Sequence, residues 1–258
     1  MRVIYILCLR QMKRYLRARA RIIGSLGQPL LFLLAMGFGF GPIFRKAGGG
    51  NYIQFLAPGI VIMAILFTAV FSGIEIIWDR QFGFLKETLV APVSRLNIAL
   101  GRTLGGAIVA FIQGLIVLAI CLVAGFRIMA PAWLPVAFLV MFVSAVLFAA
   151  IGTAIGSMLD DMQAFPLIMN FLVMPLFFLS GALFPMAGLP RPLMLAMQVD
   201  PVTYGVDGLR NALGPAVMAG VGADLVILMA IAALLIAVAS YVFARIELSI
   251  AHIFGDFL

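Results

Sequence analysis

Trp133-Leu-Pro-Val-Ala-Phe-Leu-Val-Met-Phe-Val-Ser-Ala-Val-Leu-Phe-Ala-Ala-Ile-Gly-Thr-Ala-Ile-Gly-Ser-Met158 contains no charged residue from end to end. At about 1.5 Å of rise per residue, such a stretch crosses the roughly 30 Å hydrocarbon core of a bilayer as one helix. A membrane strand would instead alternate apolar and polar side chains over about ten residues, and this stretch does not alternate.

Comparable runs cover about Leu96 to Phe126, about Ile53 to Trp78 and Ile22 to about Phe44 on one side, and about Phe165 to Phe184 and about Leu225 to Phe243 on the other. The expectation is an all-α integral membrane protein of six transmembrane helices, a single transmembrane domain over residues 1–258. Composition agrees, with 65% hydrophobic and only 10% charged residues, against about 25% charged in ordinary soluble domains.

Lys and Arg in the short flanking loops set orientation. Arg2, Arg10, Lys13, Arg14, Arg17, Arg19 and Arg21 precede the first run; Arg80, Lys86, Arg95 and Arg102 cluster around the second connection; Arg245 follows the last run. Placing both termini in the cytoplasm puts all of these inside and leaves Arg45, Lys46, Arg127, Arg191 and Arg210 outside. Asp160 and Asp161, between the fourth and fifth runs, have no cation beside them in the sequence. The formal charge of +7 then belongs to the cytoplasmic membrane surface and its anionic lipids, with no soluble basic domain to bind nucleic acid. The first run is too long, and is followed by Phe44-Arg45-Lys46 rather than small residues, to be a cleaved signal. A multi-pass protein of a prokaryotic plasma membrane is expected, the inner membrane if the cell is Gram-negative.

None of the lysines, Lys13, Lys46 and Lys86, follows a glycine, so the Gly-x-x-x-x-Gly-Lys-Ser/Thr loop that cradles ATP phosphates cannot be built. Cys8 in the N-terminal arm and Cys121 inside the third run do not suggest a disulfide framework, and one histidine, His252, leaves a histidine-based metal site nothing to build on. No catalytic residue, metal site or cofactor is expected in this chain.

Two polar regions look like shaped surfaces. In the arm 1–21, Tyr5, Leu9, Met12 and Leu16 share one helical stripe and Arg10, Arg14, Arg17 and Arg21 an adjacent one, the pattern of a helix lying in the membrane interface. In 79–95, Phe82, Leu85 and Leu89 fall on one face of a short helix whose other face carries Lys86 and Glu87, and Pro92 ends it. Glu75 and Arg102 sit just inside their runs, where pairing or snorkelling among Glu75, Asp79, Arg80 and Arg102 would spare the cost of a bare charge.

Inside the runs, Gly101 with Gly105 and Gly152 with Gly156 are small-residue pairs that permit close helix approach. Gln113 and Asn170 are mid-run amides suited to hydrogen bonds between helices, and Phe67, Phe71, Asn170 and Phe177 are the candidates for lining a path. Between the last two runs, residues 185–224 carry little charge. Asp200 before Pro201 reads as a helix start, Gly214-Pro215 as a stop, and Asp207 and Arg210 can pair between them. A helical hairpin re-entering the outer leaflet is expected there, with Asp200, Pro201, Tyr204, Asp207 and Arg210 as its marked residues.

Phe55-Leu-Ala-Pro-Gly59, Asp79-Arg-Gln-Phe-Gly-Phe-Leu-Lys-Glu87 with Ala91-Pro-Val-Ser-Arg95, Gly101-Arg102, and Asp200-Pro-Val-Thr-Tyr-Gly-Val-Asp-Gly-Leu-Arg210 together resemble the permease subunits of type-2 ABC exporters, in particular the drug-resistance and nodulation-type branch. The resemblance implies an N-terminal interfacial helix, a cytoplasmic coupling helix and external re-entrant helices. It also implies that Phe82, Gly83, Phe84, Leu85, Lys86, Glu87, Leu89, Pro92 and Arg95 dock on a separate ATPase, and that a full exporter pairs two permeases, alike or different, with two ATPases that hold ATP and magnesium. The cargo would be hydrophobic or amphipathic: a drug, a lipid or a lipid-linked glycan. An ion-coupled secondary transporter is the alternative; its midplane ionisable groups and inverted repeat are not evident in the sequence.

Overall fold

The computed structural model describes residues 2–46, 50–82, 94–184, 190–214 and 220–255, with the backbone alone for 21 and 246–255. Among the described residues, all regular structure is helical: α1 (Arg2–Arg17), α2 (Arg19–Lys46), α3 (Tyr52–Phe71), α4 (Ile74–Gln81), α5 (Arg95–Val123), α6 (Leu134–Met158), α7 (Ala164–Leu179), α8 (Arg191–Val199), α9 (Pro201–Leu213) and α10 (Val221–Gly255). A 3-10 turn, Pro131–Trp133, leads into α6.

α3 forms the centre. Its row from Leu56 to Leu66 is almost wholly removed from the surface, packed against α2, α5, α6 and α9, while α10 lies along α6. Among the described residues, five helical stretches are long and apolar enough to cross a membrane: Ile22–Lys46, Tyr52–Gln81, Arg95–Val123, Pro131–Met158 and Val221–Arg245. The expected fifth run is shorter than its composition suggests. α7 has 16 residues, about 24 Å of helix, because the chain turns at Ser180 and takes up a left-handed backbone at Gly181, φ +69°.

The second run is not one helix. It breaks at Ser72-Gly73, between α3 and α4, where backbone meets backbone: a Cβ on Gly73 would overlap the Gly152 carbonyl, and one on Gly156 the Gly73 carbonyl. The Gly152/Gly156 pair therefore receives a helix break rather than a straight neighbouring helix. Gly101 and Gly105 instead make room for the side chains of an unbroken helix, contacting Leu7 and Gln11 of α1. α1 runs along the start of α5, and only part of its apolar stripe meets protein, Leu9 and Met12 being half-buried. Tyr5 and Leu16 stay exposed, whereas Leu7, Gln11 and the buried Tyr15 turn toward the bundle.

Candidate functional site

One end of the bundle gathers α1, α4, the start of α5 and the end of α6, and most of the charge. Asp79 is buried and accepts from Arg102 of α5, with Arg10 of α1 at 3.5 Å; Glu75, one turn earlier, faces Arg14 at 3.6 Å. The expected group of Glu75, Asp79, Arg80 and Arg102 is thus divided. Glu75 pairs with α1 instead, an approach the arm's arginine stripe could have signalled. Arg80 turns to α6, pairing with Asp160 and donating to the carbonyls of Ser157 at 2.8 Å and Leu159 at 3.3 Å. This corrects the impression that Asp160 lacks a cation; the cation comes from a distant part of the chain and also caps the negative end of α6.

Phe82 is exposed beside α4, its ring 6.0 Å from that of Trp78, and Arg95 opens α5 and donates to the Ala244 carbonyl at 3.2 Å. Gly83, Phe84, Leu85, Lys86, Glu87, Leu89 and Pro92 lie outside the described residues.

At the opposite end, Asp200 caps α9 by accepting from the Val202 amide at 2.9 Å, with Pro201 as the first helical residue. Burial pushes its carboxyl up to about 7, against the lowering effect of that amide. Asp207 is likewise raised by burial, in spite of Arg210 at 3.0 Å. Arg210 also donates to the Gly181 carbonyl at 3.2 Å and lies 4.2 Å from the Phe55 ring centroid. It thereby ties α9 to α3 and to the turn after α7. The Tyr204 hydroxyl donates to Gln198 O at 2.6 Å, closing the α8 to α9 bend. α9 reaches inward: a Cβ on Gly205 would stand 3.0 Å from Ser144 Oγ, well along α6. Parts of 185–224, namely 185–189 and 215–219, lie outside the described residues.

The four path candidates are not brought together. Phe67 and Phe71 line a cavity of about 180 Å³ with Tyr15, Ser25, Gln28 and Thr68. Phe177 is buried against Phe32, centroids 6.2 Å apart, while Asn170 is exposed between Leu167 and Phe171. Gln113 does make an interhelical hydrogen bond, but to Tyr15 of α1 rather than to another long helix.

The model of the family described as ABC-2 type transporter matches residues 2–214. The chain belongs to this family. It is 29% identical over 196 residues to the transport permease ycf38 of Cyanophora paradoxa, covering 73% of this chain and 66% of the relative. It is 28% identical over 202 residues to Nodulation protein J of Rhizobium leguminosarum bv. trifolii, covering 75% and 74%. With ycf38 of Pyropia yezoensis it shares 30% identity over 75% of this chain and 68% of the relative. As an ABC-2 family member with several long apolar helices, the chain is a multi-pass membrane protein and a permease subunit of an ABC transporter. The matched span includes both charged ends described above.

Proposed function

We propose that the chain is the membrane half of an ATP-driven exporter for a hydrophobic or amphipathic substrate, powered by two copies of a separate ATPase that bind ATP and magnesium. One observation carries the reading: an ABC-2 permease whose sequence has no glycine before any lysine has no phosphate loop of its own. In this reading the chain crosses the plasma membrane six times, with α7 as the short crossing and both termini in the cytoplasm. The segment 79–95 receives the ATPase through Phe82, Gly83, Phe84, Leu85, Lys86, Glu87, Leu89, Pro92 and Arg95, and α8 and α9 form the external re-entrant element.

The arrangement of α7 supports a second permease, identical or related, beside this one. Asn170 is an exposed amide beside the exposed apolar Leu167 and Phe171, and an amide left in hydrocarbon lacks hydrogen-bond partners. The cavity at Phe67 and Phe71 mixes rings with hydroxyl and amide groups, which suits an amphipathic cargo.

The test is reconstitution. The purified chain should hydrolyse no ATP alone and should stimulate hydrolysis by an added ABC ATPase. Leu85→Asp, in a protein shown to insert normally, should abolish co-purification with that ATPase. Hydrolysis by the chain alone, or unimpaired co-purification of the variant, would overturn the reading.

A further inference from the structure

A groove of about 900 Å³ runs between α1 and the end of α4, and its two walls differ in chemistry. Ile6, Leu9, Trp78 and Phe82 make one part apolar; Arg10, Lys13, Arg14 and Arg17 make the other basic, with Asp79 the one carboxylate among the described lining residues. The cations are only partly compensated. Arg10 and Arg14 stand 3.5 and 3.6 Å from their carboxylates, longer than a direct hydrogen bond, and both remain about two-fifths exposed. Lys13 and Arg17 are exposed and make no ion pair among the described residues.

A ligand that satisfies both walls has an anionic head and an apolar tail. Two further features favour a lipid over a protein segment. Tyr5 and Leu16, the exposed members of the apolar stripe of α1, lie beside the groove that Leu9 of the same stripe lines, as a helix immersed to half its width in a bilayer surface would show. Trp78, exposed and against Phe82, is the ring type that concentrates at headgroup depth. The geometry points to a binding site for one anionic phospholipid, its phosphate among Lys13, Arg14 and Arg17 and its first acyl carbons against Ile6, Leu9 and Trp78. Such a lipid offsets the mutual repulsion of the four cations and fastens α1 to α4. The site depends on the membrane placement of the chain and not on what it exports, so the two readings fail separately.

Trp78 is a built-in reporter, since the chain has 2 tryptophans and Trp133→Phe leaves it alone. The full chain is reconstituted in phosphatidylcholine bilayers containing increasing brominated phosphatidylglycerol, or brominated phosphatidylcholine as reference, and tryptophan quenching is followed. The phosphatidylglycerol should quench at a lower mole fraction. Lys13→Gln with Arg17→Gln should weaken that preference by about fivefold per cation. Arg2→Gln with Arg19→Gln removes the same charge outside the groove and should change it far less, and Lys13→Arg with Arg17→Lys should retain it. Equal quenching by the two lipids, or equal loss in both neutralised variants, would reduce the effect to general surface attraction and overturn the site. Relief of quenching by inorganic phosphate would assign the groove to a soluble anion and overturn it as well.

Discussion

At the arginine-rich end, Asp79 and Glu75 draw in side chains from α1 and α5; at the opposite end Arg210 alone reaches Asp207, a carbonyl after α7 and the face of Phe55. The first end is joined by charge pairs whose arginines from α1 remain partly in solvent, so added salt and small displacements change them gradually. The second end is joined largely by bonds to backbone carbonyls and a helix cap, which depend on position rather than ionic strength. In the exporter proposed above, that asymmetry would let the partly solvated pairs of α1 adjust at the end that receives the ATPase, whereas α9 is keyed into the bundle.

The largest expected effect tests the charged end. Asp79→Asn removes the carboxylate that Arg102 and Arg10 share. Arg102 is only 8% exposed, so its charge is left uncompensated in a poorly solvated place, at a cost of about 3–5 kcal/mol. Thermal denaturation of the purified protein in detergent, followed by size exclusion, should show a large loss of midpoint. Asp79→Leu with Arg102→Met should recover much of it, because no unpaired charge remains. A double variant as unstable as Asp79→Asn would mean that shape, not charge, holds this end.

Next come two alanines that compare the ends by packing alone. Gly73→Ala forces a methyl into the Gly152 carbonyl, and neither backbone can yield easily; the cost should reach or exceed about 3 kcal/mol, the upper part of the overpacking range. Gly205→Ala meets the Ser144 hydroxyl at 3.0 Å, a group that can rotate, and should cost about 1 kcal/mol. The same melting assay ranks them. Equal losses would remove the distinction between the backbone contact at one end and the side-chain contact at the other.

Arg210→Lys keeps the charge but loses the fork that serves Asp207 and the Gly181 carbonyl together. About 1–2 kcal/mol is expected, with little change between low and high salt. A strongly salt-dependent loss would make the far end electrostatic after all.

The helical membrane character, the cap at Asp200 and the Asp207 to Arg210 pair were legible in the sequence, because run length, N-cap chemistry and i,i+3 spacing are local properties. What escaped was set by tertiary contact. The break at Ser72-Gly73 exists because Gly152 and Gly156 admit backbone there, a fact about two segments far apart in the chain. The stripe of Tyr5 and Leu16 marks a helix face correctly, yet periodicity does not say whether that face meets protein or lipid. Asp160 found its cation at Arg80 for the same reason. The shortness of α7 was hidden because apolar composition continues past the turn at Gly181.

The smallest effect separates an ion pair from a cap. Asp160 is 85% exposed, so its pairing with Arg80 competes with water and salt, and Asp160→Asn should cost under about 1 kcal/mol. Arg80→Gln should cost more, although it removes the same ion pair. The guanidinium, 18% exposed, also donates to the Ser157 and Leu159 carbonyls, which stand at the end of α6 where no further helical amide can reach them. High salt should narrow the gap between wild type and Asp160→Asn but leave most of the Arg80→Gln loss in place. If both variants melt alike and both differences vanish in salt, Arg80 is an ordinary surface partner, and its bonds to the α6 carbonyls do not help fasten the arginine-rich end.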